Sequence, residues 1–171
     1  MSPKKLKDTF HIGEIAGLFS VEEPDWTDSG DAYHYGYEYA LKEGQSEEEA
    51  EEYGQKCEQE EIDEAFRNWA NAVEYVAADL FEKHGLSLQE SKKHKYNYKV
   101  VPIESWRDAA RHIVTTINGV GMFEFRNVKE FLDSGPYTAR EAVLQHLHVI
   151  EDWVEVYEGG KARDQIYRRM R

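Results

Sequence analysis

A single long helical pattern, residues 46–84, limits what this chain can fold into more than any other feature. Ser46 is followed three residues later by Glu49, the pattern of a capping box, and Gly85 stands where a helix commonly ends. In the second half, apolar residues recur at alternating steps of four and three, as one buried helical face requires. These residues are Ile62, Phe66, Trp69, Val73, Val76 and Leu80. We therefore predict one helix with a buried second half, and Gly54 as a place where it kinks or splits.

The first half of the same pattern is almost entirely charged. Its carboxylates fall on every side of a helix: Glu47, Glu48, Glu49, Glu51, Glu52, Glu58, Glu60, Glu61, Asp63 and Glu64. Because charged side chains are buried only at a large cost, we expect this half to be exposed. The chain has a net charge of −13, and residues 22–64 alone hold 17 acidic side chains against Lys42 and Lys56. The excess negative charge is therefore concentrated in one quarter of the chain.

Residues 31–43 fit both a strand and a helix. Four tyrosines alternate along this segment with the period of a strand, whereas Tyr33, Tyr37 and Leu41 also share one helical face. The sequence Ala-Leu-Lys-Glu-Gly at its end is typical of a helix that stops at Gly44. We therefore predict a helix over 31–43.

The elements predicted after residue 84 are three helices and two strands. Apolar residues at helical spacing predict helices over 105–118, 127–134 and 138–157. Alternation of apolar and polar residues predicts strands over 94–101 and 120–125. The elements together predict an α+β fold that is mainly helical.

Length and composition favour one soluble domain over residues 1–171, with 1–10 and 161–171 as mobile ends. No stretch approaches the roughly 20 apolar residues of a membrane helix. Cys57 is the single cysteine, so the chain can form no internal disulfide. We therefore expect a cytoplasmic protein that does not bind a membrane.

Motifs for catalysis and metal binding are weak. Cys57 lies among acidic residues, which disfavour a reactive thiolate. Two pairs four residues apart, His34 with Glu38 and Asp108 with His112, could share a metal, although such pairs are more often solvated contacts. We expect no catalytic residue, no metal and no cofactor. A small hydrolase or metal-binding enzyme is an alternative, and it would need a cleft that collects His34, Glu38, His112 or His146.

The acidic half of the long helix is the most specific functional signal. Carboxylates along a rod, with the tyrosines of 33–39 and Tyr53 nearby, resemble in a general way the surface of duplex DNA. We expect a non-enzymatic interaction protein whose ten carboxylates bind a basic protein surface, as a nucleic-acid-mimicking inhibitor. The alternative from another class is an assembly subunit that forms a homodimer through residues 62–80.

Two basic patches stand apart from the acidic half. One holds Lys92, Lys93, Lys95 and Lys99; the other holds Lys161, Arg163, Arg168, Arg169 and Arg171. Basic residues on a strand beside tyrosines are a pattern found in nucleic-acid-binding proteins. Because the chain as a whole repels phosphate, we do not expect direct binding of nucleic acid, and a tail that neutralises the acidic half is the simpler interpretation.

Overall fold

The computed structural model describes residues 8–24, 31–119, 125–133, 138–147 and 161–170. By its contacts, the chain divides into two compact units. We call residues 24–71 the hairpin unit, and residues 1–23 with 72–171 the sheet unit. The boundary falls inside the long helix, which both units share, and the prediction of a single domain stays a prediction.

The described elements are three strands and seven helices. In chain order they are β1 (Thr9–His11), α1 (Ile12–Leu18), α2 (Asp31–Lys42), α3 (Glu47–Lys83), β2 (Leu86–Glu90), β3 (Asn97–Pro102), α4 (Trp106–Gly119), α5 (Val128–Asp133), α6 (Ala139–Gln145) and α7 (Lys161–Met170). The sheet is small and helices hold most of the described residues, so the predicted mainly helical α+β fold is confirmed.

Helix α3 confirms the long helix predicted over 46–84. Ser46 Oγ accepts a hydrogen bond from the Glu49 amide at 3.2 Å, which is the predicted N-terminal cap. Gly85 follows the last turn with φ +73°, a conformation in which glycine carries no steric cost. The helix is continuous through Gly54, so the expected split is wrong, and a kink at Gly54 stays a prediction.

Three other helices also form where the sequence predicts them. Helices α2, α4 and α5 correspond to the predictions over 31–43, 105–118 and 127–134. The helix predicted over 138–157 begins as expected, with Thr138 Oγ1 accepting from the Glu141 amide, but α6 ends at Gln145. There His146 turns the chain, and its Nδ1 lies 2.8 Å from the Ala142 carbonyl. The remainder of that prediction, 148–157, lies outside the described residues.

The sheet differs most from the sequence-based expectation. The strand predicted over 94–101 begins later, at Asn97, because His94 to Tyr96 form a turn in which Tyr96 has φ +67°. It is the central strand of an antiparallel sheet in the order β1-β3-β2. Neither of its neighbours was predicted as a strand: β1 begins in the end 1–10, and β2 directly follows the long helix. Residues 120–124 of the other predicted strand are outside the described part, and Phe125 is not in a strand.

The core of the sheet unit lies between α3, α4 and the sheet. From α3, Val73, Val76 and Leu80 are buried, as predicted for this face. Five of the six residues that the sequence places on the apolar face of α4 are also buried: Ala109, Ala110, Ile113, Val114 and Ile117. Tyr98 of β3 is buried too, and its hydroxyl donates to Glu74 Oε2 of α3 at 3.1 Å. Burial and this carboxylate raise the pKa of Tyr98.

A buried histidine joins the end of α3 to α4. His84 Nδ1 lies 2.9 Å from Thr116 Oγ1, and that hydroxyl donates to the His112 carbonyl at 2.9 Å. Because the hydroxyl has a single hydrogen, His84 Nδ1 is the donor in the first bond. Burial, followed by the nearby His112 and Lys83, lowers the pKa of His84 to about 4.

We expect the contribution of His84 to the free energy of unfolding to fall as the pH drops from about 6.5 to about 4, because the pKa of His84 is about 4 in the folded protein against an ordinary value of 6.5. Between these two pH values His84 binds more protons in the unfolded chain than in the folded chain. The stabilisation that neutral His84 provides is therefore complete above pH 6.5, and roughly 3 kcal/mol of it is lost below pH 4. Urea denaturation at several pH values measures this. In His84→Gln the difference from wild type should change with pH, whereas the exposed His94→Gln should follow wild type throughout. A pH-independent difference for His84→Gln would contradict the assignment.

Candidate partner-binding surface

A tight turn joins α2 to α3 and makes the hairpin unit a pair of antiparallel helices. The Gly44 amide donates to the Leu41 carbonyl and the Gln45 amide to the Ala40 carbonyl, both at 3.1 Å. These two bonds form a Schellman motif, with Gly44 at φ +86° in the left-handed position. Ser46 then caps α3, so the two helices are joined by only four residues.

The two helices meet through small residues. The buried positions include Gly36 and Ala40 on α2, and Ala50 and Gly54 on α3. A Cβ atom at Gly54 would lie 2.9 Å from the Tyr33 carbonyl oxygen, and one at Gly36 would lie 2.7 Å from Cys57 Sγ. The backbones therefore approach as closely as glycine allows, which explains why a helix of this length contains Gly54.

Tyrosine rings flank this contact. Tyr33 and Tyr37 stack on α2 with centroids 6.1 Å apart, and Tyr39 of α2 meets Tyr53 of α3 at 6.0 Å. Tyr35 is 76% exposed, Tyr39 49% and Tyr53 36%. The helix prediction for 31–43 is thus correct, and the alternating tyrosines distribute around a helix instead of lying on two faces of a strand.

The ten predicted site carboxylates lie outside the core. Nine of them are exposed and Glu58 is half-buried. Within the hairpin unit, as far as it is described, none of them forms a salt bridge. Their charge is therefore available to solvent, and the expectation that this half is exposed agrees with the structure.

The carboxylates act on the neighbouring rings. The pKa of Tyr37 is raised by partial loss of solvent and then by Glu47 and Glu51. The pKa of Tyr53 is raised chiefly by Cys57, with Glu60 among the further causes. Rings and carboxylates thus share one surface with a negative potential, which favours a cationic partner.

The groups required by the enzyme alternative occupy different surroundings. His34 and Glu38 lie exposed on α2, and the His34 ring meets the edge of Tyr33. His146 packs between Phe125 and Phe131, with ring centroids 5.8 and 4.7 Å away. Among the residues that the structure describes, no three histidine, cysteine or acidic side chains come together as metal ligands would.

A small cleft in the sheet unit was not predicted from the sequence. Its volume is about 170 Å³, and it is lined by Glu82, Gly85, Ile103, Glu104, Asp108 and His112. The spacing of Asp108 and His112 places both on one helix face. The other lining residues come from other segments of the chain, so the sequence did not indicate the cleft. Asp108 accepts from the Ser105 hydroxyl at 2.6 Å and pairs with Arg111 at 3.2 Å. This carboxylate therefore braces the first turn of α4.

The seam required by the homodimer alternative is mostly covered within the chain. Of its residues, Ile62 and Phe66 are half-buried and the others, Trp69, Val73, Val76 and Leu80, are buried. A buried side chain cannot contact a second copy without opening the core.

None of the helices that the structure describes has the length and apolar character to cross a membrane.

We expect Gly54→Ala to lower the free energy of unfolding by about 1–3 kcal/mol, because the added methyl group meets the Tyr33 backbone. The matched control is Gly17→Ala, in an exposed position of α1 with no atom within 4 Å of the new Cβ. It should be neutral or stabilising by up to about 1 kcal/mol through helix propensity. Thermal and urea unfolding followed by circular dichroism measure both. Equal stability of the two variants would contradict the close helix contact.

Comparison with protein-family models, with curated proteins and with solved structures finds no match to this chain.

Proposed function

We propose that this chain is a non-enzymatic interaction protein whose acidic helical surface binds a basic surface of another protein and competes there with nucleic acid. The observation that carries the proposal is the set of ten carboxylates over 47–64, nine of them exposed and none in a salt bridge within the described hairpin unit. A folded protein gains no stability from such a set. The presence of so many exposed carboxylates is explained if their charge serves binding.

The spacing of charge supports nucleic-acid mimicry. At 1.5 Å per residue, the helix from 47 to 64 is roughly 26 Å long. It holds ten carboxylates and one cation, Lys56, which is about one net negative charge per 3 Å. Duplex DNA carries one per about 1.7 Å and a single strand one per about 3.4 Å. A basic surface that binds a nucleic-acid backbone would therefore meet a comparable density of charge on this helix.

The whole hairpin unit contributes to the attraction. Residues 24–71 hold 15 acidic side chains against Lys42, Lys56 and Arg67, a net charge of −12. A field of one sign steers a basic partner and raises the rate of association, and salt screens it over about 10 Å at 0.1 M. We therefore expect fast binding that weakens steeply as salt is added.

The helical hairpin also fixes the positions of the charges before binding. The contact of Gly36 with Gly54 and the cap at Ser46 hold the helix without a partner. An acidic segment without structure would have to be ordered on binding, at a cost of several kcal/mol. A preformed anionic helix avoids that cost and presents a constant spacing to the partner.

We expect the change of Glu47, Glu48, Glu49, Glu51 and Glu52 to Gln to abolish capture of basic proteins from a cell lysate by the immobilised protein. Wild-type capture should be strong at low salt, lost at high salt, and reversed by added duplex DNA, because both ligands need the same cations. Quantitative mass spectrometry of the eluates measures this.

The matched control removes the same number of exposed charges from the sheet unit. Its changes are Glu22→Gln, Asp79→Asn, Glu82→Gln, Glu104→Gln and Asp164→Asn. This control should capture the same proteins as wild type. Capture that survives the five changes in the helix, or that is lost equally in the control, would contradict the proposed site.

A further inference from the structure

The three-stranded sheet has one buried face and one open face. Tyr98 and Val100 of β3 are buried, so alternate positions of the three strands, matched by register, face the other way. We call those positions the open face: Thr9, His11, Ser87, Gln89, Asn97, Lys99 and Val101. All are exposed or half-buried, and none is a carboxylate although the chain holds 34 of them.

The turn between β2 and β3 continues this face with a fixed basic tip. Ser91 Oγ accepts from the backbone amides of Lys93 and His94, each at 3.3 Å. Glu90 Oε1 accepts from the Tyr96 amide at 3.2 Å. These bonds hold residues 91–96 in one conformation, in which Tyr96 adopts φ +67°. Glu90 pairs with Tyr98 in the register and so belongs to the buried-face set.

The lysines of the tip are directed to solvent. Lys92, Lys93 and Lys95 are all exposed, as is Lys99 on the open face. No salt bridge in the described part of the chain includes these lysines. Four lysines thus lie within eight residues of one hairpin without a neutralising partner, next to the polar side chains of Asn97 and Gln89.

We propose that the open face and the basic tip form a second binding surface, which takes the phosphate backbone of a nucleic-acid duplex. Lysine ammonium groups bind phosphates as point charges, and neighbouring amide and hydroxyl groups donate hydrogen bonds to phosphate oxygens. The proposal does not rest on the acidic surface of the hairpin unit.

The composition of the surface favours a nucleic-acid duplex over a single strand or a lipid membrane as the ligand. The open face carries no phenylalanine, tyrosine or tryptophan on which unpaired bases could stack, and its one ring, the His11 imidazole, accepts a hydrogen bond from the Gly13 amide. Residues 91–95 of the tip contain no apolar side chain to enter a bilayer, and the Tyr96 ring that follows them is half-buried beside Lys95. The proposed contacts are made to phosphates, which carry no sequence information, so we expect binding to be independent of sequence.

Net charge does not exclude this surface. The acidic excess of the chain belongs to the hairpin unit, and the sheet unit holds 18 basic against 19 acidic side chains, a balance of −1. At physiological salt, charges act over about 8 Å, so the lysines of the tip are the charges that a phosphate bound there meets first.

The test is fluorescence anisotropy with a labelled DNA duplex of mixed sequence, titrated at several salt concentrations. The variant is Lys92→Gln with Lys93→Gln and Lys95→Gln, all in an exposed turn. The matched control is Lys42→Gln with Lys56→Gln and Lys161→Gln, which removes the same charge from exposed positions elsewhere. The slope of log affinity against log salt changes by about 0.9 for each phosphate contact.

We expect wild type and control to bind the duplex with the same slope, the tip variant to lose at least about tenfold in affinity at low salt, and its slope to be smaller by roughly 2.7. Two duplexes of different sequence should bind equally. The proposal is overturned if wild type does not bind, or if the control weakens as much as the tip variant. Equal or tighter binding to single strands or to anionic vesicles would likewise overturn it.

Discussion

The mutual repulsion of carboxylates along the first half of α3 is the constraint on which the rest of the hairpin unit depends. Pairs such as Glu47 with Glu51 and Glu48 with Glu52 lie four residues apart, where like charges each destabilise a helix by a few tenths of a kcal/mol. The opposing contributions are backbone contacts that carry no charge: the approach of Gly36 to Gly54, the Schellman turn at Gly44 and the cap at Ser46. The charged positions then face solvent.

Helix α3 could be predicted because its sequence patterns are local. Most of the sheet could not be predicted because its strands lack such patterns. The long helix has a cap, an apolar period and a terminal glycine, all written within its own sequence. Strand β1 has three residues and β2 has five, and both are defined by pairing with β3, which lies far away in the chain from β1. The late start of β3 depends on Tyr96 at positive φ, which residue type does not indicate. From the local sequence, Gly54 indicated a break in the helix. Its role in the close contact with α2 depends on tertiary structure, which the local pattern does not show.

The candidate surfaces were predictable to the extent that charge alone decides exposure. Carboxylates on every side of a helix cannot be buried, so the exposure of nine of the ten followed from composition. The pairing of Tyr39 with Tyr53 and the cleft at His112 depend on segments brought together by folding. The carboxylate-free open face depends on register, because a shift of one residue would exchange Lys99 for Tyr98. A net charge calculated from composition does not show which face of a strand each charged residue occupies.

Binding and stability are linked in a unit built this way. A cationic partner that binds only the folded hairpin stabilises it in proportion to the logarithm of its concentration over Kd. The same partner also removes part of the repulsion that opposes the helix, so the favourable energy of binding includes relief of strain already present in the free protein. Salt relieves that repulsion as well, but without a defined arrangement of charges. Under the proposed function, the preformed and self-repelling anionic helix would prefer a partner whose cations match the spacing of its carboxylates over dispersed counterions. Such a preference would distinguish a binding surface from a merely solvated one.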